Sequence, residues 1–81
     1  MEFTFEYTRQ RGNKHTYHVT AHLMKHVESG VFAYSAVVHR GSNYAGPLAL
    51  WPLNASDPDA AMLEAKNLIE RDIEDLVGID E

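Results

Sequence analysis

The stretch Asp57–Val77, DPDAAMLEAKNLIERDIEDLV, decides how the rest of this chain is read. Asp57 is suited to cap a helix, its carboxylate accepting from free amides of the first turn. Pro58 follows at the first helical position, where a missing N–H costs nothing, and Asp59 adds negative charge at the positive end of the helix dipole. Ser56 is the alternative cap. Gly78 supplies the stop, since glycine enters the left-handed region readily. Between these signals the residues are mostly good helix formers. Met62, Ala65, Ile69, Ile73 and Leu76 recur at spacings of three and four and form one apolar stripe. Ala61, Leu68 and Val77 lie at its margins. Glu64, Asn67, Glu70, Arg71, Glu74 and Asp75 fall on the opposite side, and Asp72 sits at the edge of the stripe. Asp72 reads as a solvated flank residue or as a partner for a strand Lys or His. A helix over 57–77 is about 20 residues and ~30 Å long, enough to span a small sheet.

What precedes the helix alternates with period two. Residues 2–9 (EFTFEYTR) place Phe3, Phe5 and Tyr7 on one side and Glu2, Thr4, Glu6 and Thr8 on the other, the pattern of a half-buried antiparallel strand. Residues 10–14 form a turn around Gly12-Asn13. Residues 15–27 alternate again, with Tyr17, Val19, Ala21 and Leu23 inward and His18, Thr20, His22, Met24 and His26 outward. That run exceeds a usual strand and predicts a bend or fraying near Lys25 to Glu28, before a Ser29-Gly30 turn. Residues 31–40 form a third strand. Phe32, Tyr34, Ala36 and Val38 match the inner set, while Val31, Ala33, Ser35, Val37 and His39 make a second face that is apolar for one left in water. Residues 41–47 read as a loop. Residues 48–52 read as a short fourth strand or an extended arm, with Pro52 limiting its pairing. Trp51 reads as a lid over one end of the core or as a surface aromatic. Ile79, Asp80 and Glu81 read as a loose tail.

The predicted class is α+β in two layers. A three-stranded antiparallel meander, with the short fourth strand as an option, packs against one C-terminal helix in the order β-β-β-(β)-α. The 81 residues form a single domain, 1–81. The expected core is Phe3, Phe5, Tyr7, Tyr17, Val19, Ala21, Leu23, Phe32, Tyr34, Ala36 and Val38 against the helix stripe.

Composition narrows the function classes. There is no cysteine, hence no disulfide and no thiolate chemistry. No apolar run approaches the ~20 residues of a membrane helix, and no signal-peptide pattern opens the chain. The expectation is a soluble cytoplasmic protein with no membrane partner. The net charge of −5 is uneven. Arg9, Arg11, Lys14, Lys25 and Arg40 lie in the first half with all five histidines, whereas the second half is strongly acidic. An acidic whole disfavours non-specific nucleic-acid binding.

His18, His22 and His26 are spaced as a metal pair would be on a helix, but the segment alternates like a strand. Positions four apart on a strand are ~13 Å apart, too far for one ion. A ligand from a neighbouring strand would be needed: one register sets Glu6 opposite His18, another His39 diagonal to His22. The expectation is no metal and no cofactor. Histidines clustered on one face would repel when protonated and loosen an interface there. The serines lack a nucleophile-elbow context, and the glycines form no nucleotide-binding motif. No catalytic residue is assigned, and an enzyme is not expected.

The reading that remains is a non-catalytic protein–protein interaction or regulatory module acting as a homodimer. Its surface is the uncovered face, with His18, Thr20, His22, Val31, Ala33, Val37 and His39. Edge pairing of third strands is a second geometry. The alternative function is nucleic-acid binding by the basic hairpin tip, Arg9, Arg11 and Lys14, together with the exposed sheet face.

The strand-then-helix order, with the helix segment AAMLEAKNLIERDIEDL and its A-x-x-x-A-x-x-x-I spacing, resembles HicB-type antitoxins. The resemblance implies their partial double-stranded-RNA-binding-like fold. The Pro-Gly-Cys type turn of that family is missing here, and no functional residue is carried across.

Overall fold

The computed structural model describes the backbone of residues 1–81 and the side chains of all but residues 48–51, so the role of Trp51 lies outside the described residues. Four strands precede one helix: β1 (Glu2–Thr8), β2 (Thr16–Lys25), β3 (Phe32–Arg40), β4 (Asn43–Pro52) and α1 (Pro58–Glu74). They form one antiparallel sheet in the order β1-β2-β3-β4. The α+β class and the order β-β-β-β-α follow, with a fourth strand present.

That strand is longer than 48–52. It begins at Asn43, inside the predicted loop, and runs to Pro52. Its pairing with β3 slips between Tyr34 and Ala36 and again between Val38 and His39. These irregularities and Gly46, at φ 145°, break the alternation by which a strand is recognised. The long second run ends at Lys25, as its expected bend requires, and Gly30 closes the turn at φ 73°. Because β3 lies between β2 and β4, both of its edges are occupied. Pairing of third strands between copies is therefore ruled out.

α1 opens as its sequence signals require. The Asp57 carboxylate accepts from the Ala60 amide at 3.0 Å, with Pro58 in the first turn. Glu64 reaches back to accept from the Asn54 and Ala55 amides, which fixes the entry of the chain. The helix ends earlier than Val77. Leu76 enters the left-handed region at φ 54°, its amide donates to the Ile73 carbonyl, and the Val77 amide donates to the Asp72 carbonyl. That is the Schellman arrangement. It falls at Leu76 rather than at Gly78, because Gly78 is required two residues later.

The buried helix stripe is Ala61, Ala65, Ile69 and Ile73, a strict spacing of four, with Met62, Leu68 and Leu76 at its margins. It covers Tyr17, Val19, Ala21, Leu23, Phe32, Tyr34, Ala36 and Val38. Phe3, Phe5 and Tyr7 are only half-buried, a correction to the expected core, because β1 lies at the sheet margin. Asp72 pairs with Arg71 on its own helix at 3.6 Å rather than with a strand cation.

The C-terminal residues are not a loose tail. Ile79 is buried, the Asp80 amide donates to the Ala45 carbonyl at 2.9 Å, and the Tyr17 hydroxyl donates to the Asp80 carbonyl at 3.2 Å. This docking needs two glycines in contact. A Cβ on Gly46 would collide with the Gly78 carbonyl oxygen. Gly46→Ala is expected to destabilise the fold by about 1–3 kcal/mol and to raise amide exchange at Asp80. Urea denaturation and exchange NMR check both; unchanged exchange at Asp80 would contradict the docking.

Candidate interaction surface

With α1 on one face, the other face of the sheet carries no helix. Its side chains come from the outward positions of all four strands, and the register arranges them in rows. One row runs Thr4, Thr20, Val37, Pro47. The next runs Glu6, His18, His39, Tyr44. A third runs Glu2, His22, Ser35.

The rows are chemically graded. On the β1 side, His18 Nδ1 lies 3.4 Å from a Glu6 carboxylate oxygen, and His22 Nε2 lies 3.3 Å from one of Glu2. All four groups are exposed, so these contacts are weak in water. On the β3–β4 side, His39 meets Tyr44 edge-on at 5.7 Å between ring centres. Ala33, Ser35, Val37 and His39 are half-buried. At the far end Met24 and Val31 are 43% and 42% exposed and, with Lys25, His26, Ser29 and Ala33, line a shallow apolar groove of about 550 Å³.

The residues singled out from sequence therefore divide cleanly. His18, Thr20, His22, Ala33, Val37 and His39 share the open face, and Val31 lines the groove at its end. The register sets Glu6 opposite His18 and brings His39 beside His18 rather than diagonal to His22. Among the described residues no three His, Asp or Glu side chains stand close enough to hold a metal ion. Tyr44 and Met24 also belong to the face. Tyr44 was hidden in the predicted loop, and Met24 was signalled by its outward position in the second alternating run.

The hairpin tip has a different occupation. Arg9 is buried; its Nε and Nη2 donate to the Glu74 carbonyl at 3.1 and 2.8 Å, and its Nη1 donates to Glu81 at 2.5 Å. Arg11 Nε donates to the Glu74 carboxylate at 3.0 Å, and its Nη2 donates to Asp75 at 2.6 Å. The two arginines thus satisfy a carbonyl left free at the negative end of α1, where cations are favoured. Their charge is balanced within the chain, while Lys14 stays exposed. The Asn13 amide donates to Glu81, which ties the turn to the tail.

Glu74 is the centre of this clasp. It accepts from the Gln10 amide at 2.8 Å, from the Tyr7 hydroxyl at 2.7 Å and from Arg11. Those bonds, the Gln10 amide foremost, hold its carboxyl down at about 2 from the ordinary 4.5. The same contact to Glu74, followed by burial, pushes the Tyr7 phenol up from 10 to about 12.

Comparison with protein-family models, curated proteins and solved structures finds no match to this chain. No helix among the described residues is long and apolar enough to cross a membrane.

The clasp makes stability depend on pH at both extremes. Glu74 has a folded-state value below its unfolded one, so its contribution is complete above about pH 4.5 and is lost as pH falls toward 2. Tyr7 is raised, so its contribution is complete below pH 10 and is lost as pH climbs toward 12. Glu74→Gln is expected to lower Tm at neutral pH and to flatten both limbs of a Tm–pH profile. A Tm that still falls as steeply in both limbs would contradict this assignment.

Proposed function

We propose that the chain is a non-catalytic protein–protein interaction or regulatory module that acts as a homodimer through the open sheet face. The observation that supports it is one-sided covering. α1 buries the inward face of β2 and β3, while Met24, Val31, Ala33 and Val37 lie on the other side, with no layer over them among the described residues. Apolar groups that remain wet on a sheet gain stability when a second surface removes them from water.

A second copy fits the pattern of rows. A two-fold axis parallel to the strands, between β2 and β3, keeps each row over itself and reverses its order. Val37 then meets Thr20 of the second copy, His18 meets His39, and Glu6 meets Tyr44, which can donate to it. No carboxylate faces a carboxylate in those rows. The arrangement is self-complementary, as a two-fold interface must be, and sheets packed in this way stack about 10 Å apart.

Multi-angle light scattering across a concentration series tests the proposal. The wild-type mass is expected to exceed that of one chain at high concentration, and Val37→Lys, which sets a cation at the centre of the face, is expected to lower it. A wild-type chain that is monomeric at millimolar concentration would contradict the proposal.

A further inference from the structure

The two edges of the sheet are unlike. The β4 edge is obstructed: it holds Pro47 and Pro52, two register slips, and a carbonyl at Ala45 already taken by Asp80. These are the devices that stop a sheet edge from pairing further. β1 is the opposite: seven residues, EFTFEYT, without proline, glycine or register slip.

The direction of its free groups can be read from the ladder. Met1 and Leu23 exchange both backbone bonds, and the Arg9 amide donates to the His15 carbonyl. Bonded pairs alternate in an antiparallel ladder, so Phe3, Phe5 and Tyr7 also bond to β2. The amides and carbonyls of Glu2, Thr4, Glu6 and Thr8 therefore point away from the sheet. Among the described residues only the Thr8 carbonyl has a local partner, the exposed Gln10 side chain at 3.3 Å.

A second observation lies on the helix side of the same strand. Phe3 and Phe5 stack at 6.1 Å between ring centres, yet both are half-exposed, because α1 does not reach over the margin. Lys66 Nζ lies 5.6 Å from the centre of the Phe5 ring and gives it partial cover.

We infer that β1 is a self-pairing edge: two copies join antiparallel through it, Phe5 against Phe5 of the second copy, into one continuous sheet. Charge selects this register. Centred on Phe5, the free-edge groups of Thr4 meet those of Glu6 of the second copy, and those of Glu2 meet Thr8. Centred on Thr4 instead, Glu2 would face Glu6 across the edge, and like charges directly opposite are destabilising. A shift by an odd number of residues would mismatch the free groups and the faces. In the chosen register the bonded pairs are Thr4–Glu6 and Glu2–Thr8. Phe5–Phe5 and Phe3–Tyr7 fall at the unbonded pairs, where side chains approach most closely. The join covers the exposed margin of Phe3 and Phe5 and leaves the open face free. Its axis is perpendicular to that of the face-to-face pair but does not meet it, so the two contacts together extend into an open two-layer ribbon rather than closing at a tetramer.

The test is a Thr4 series measured by sedimentation equilibrium, with Val37→Lys as the control for the face. Thr4→Pro removes one outward amide and no bond of the β1–β2 ladder, so the chain is expected to stay folded by circular dichroism while its mass falls. Thr4→Glu sets a carboxylate opposite Glu6 and is expected to weaken the edge contact about tenfold at low salt; Thr4→Lys is expected to tighten it by about as much. Should the proline variant unfold, the Glu and Lys variants decide. A folded Thr4→Pro chain of wild-type mass overturns the inference, as do Glu and Lys variants that shift the mass in the same direction. If Val37→Lys alone lowers the mass, the edge contact falls and the open-face proposal stands. If only the Thr4 series does so, the edge contact stands and the face proposal falls. A wild-type chain that is monomeric at millimolar concentration overturns both.

Discussion

A sheet has two faces and this chain has one helix to cover them. Every strand residue must choose a side, because successive side chains alternate. α1 contributes a stripe of Ala61, Ala65, Ile69 and Ile73, narrow and partly small, which lets the helix sit close to β2 and β3. The price of that close fit is width. Tyr17, Val19, Val38 and Ala21 are almost fully buried, whereas the aromatic residues of β1 stay half-exposed. The same economy leaves the opposite face without a helix. Both surfaces to which function is attributed follow from this mismatch between one helix and four strands.

The position of the helix is set at its ends more than along its length. At the start, Asp57 and Glu64 collect the free amides of the incoming chain. At the finish, Arg9 and Arg11 collect the Glu74 carbonyl, while the Glu74 carboxylate returns to the hairpin through Tyr7 and Gln10. Hydrogen bonds to charged groups are stronger than neutral ones, and Arg9 is removed from water by the tail that passes it. The arginines that read in sequence as a basic tip are thus parts of the helix terminus. The groups that would make the tip attractive to phosphate are already engaged with carboxylates and a carbonyl.

The parts of the fold that were legible are those governed by local rules. Pro58 after Asp57 marks a helix start wherever it occurs, and the alternation of residues 2–9 and 15–27, the latter ending in the structure at Lys25, decides which residues share a face. The parts that were not legible depend on distant contacts. Gly46 and Pro47 look like loop residues because the bulged β4 abandons alternation, and Gly46 is there because the Gly78 carbonyl passes within van der Waals reach. Ile79 is a lone apolar residue with no period, so its burial leaves no pattern. The helix stops at Glu74 and the chain turns left-handed at Leu76, although leucine rarely takes a positive φ, since Gly78 is needed elsewhere. On the open face, the sharing of one side by His18, His22, Val37 and His39 followed from period two. Their grouping into rows did not, because register is set by the length and twist of the turns.

If the open face and the β1 edge are used for contact with another copy, as proposed, dilution must expose both. Residue-resolved NMR on the wild-type protein, at millimolar and at low micromolar concentration, tests it most directly through amide exchange and through line broadening by a soluble paramagnetic probe. Dilution is expected to raise exchange at the outward amides of Thr4 and Glu6 and probe broadening at the methyl groups of Val37, while Val19 and Ile69 remain protected throughout. Exchange and broadening at Thr4, Glu6 and Val37 that are high at both concentrations and unchanged by dilution would contradict it.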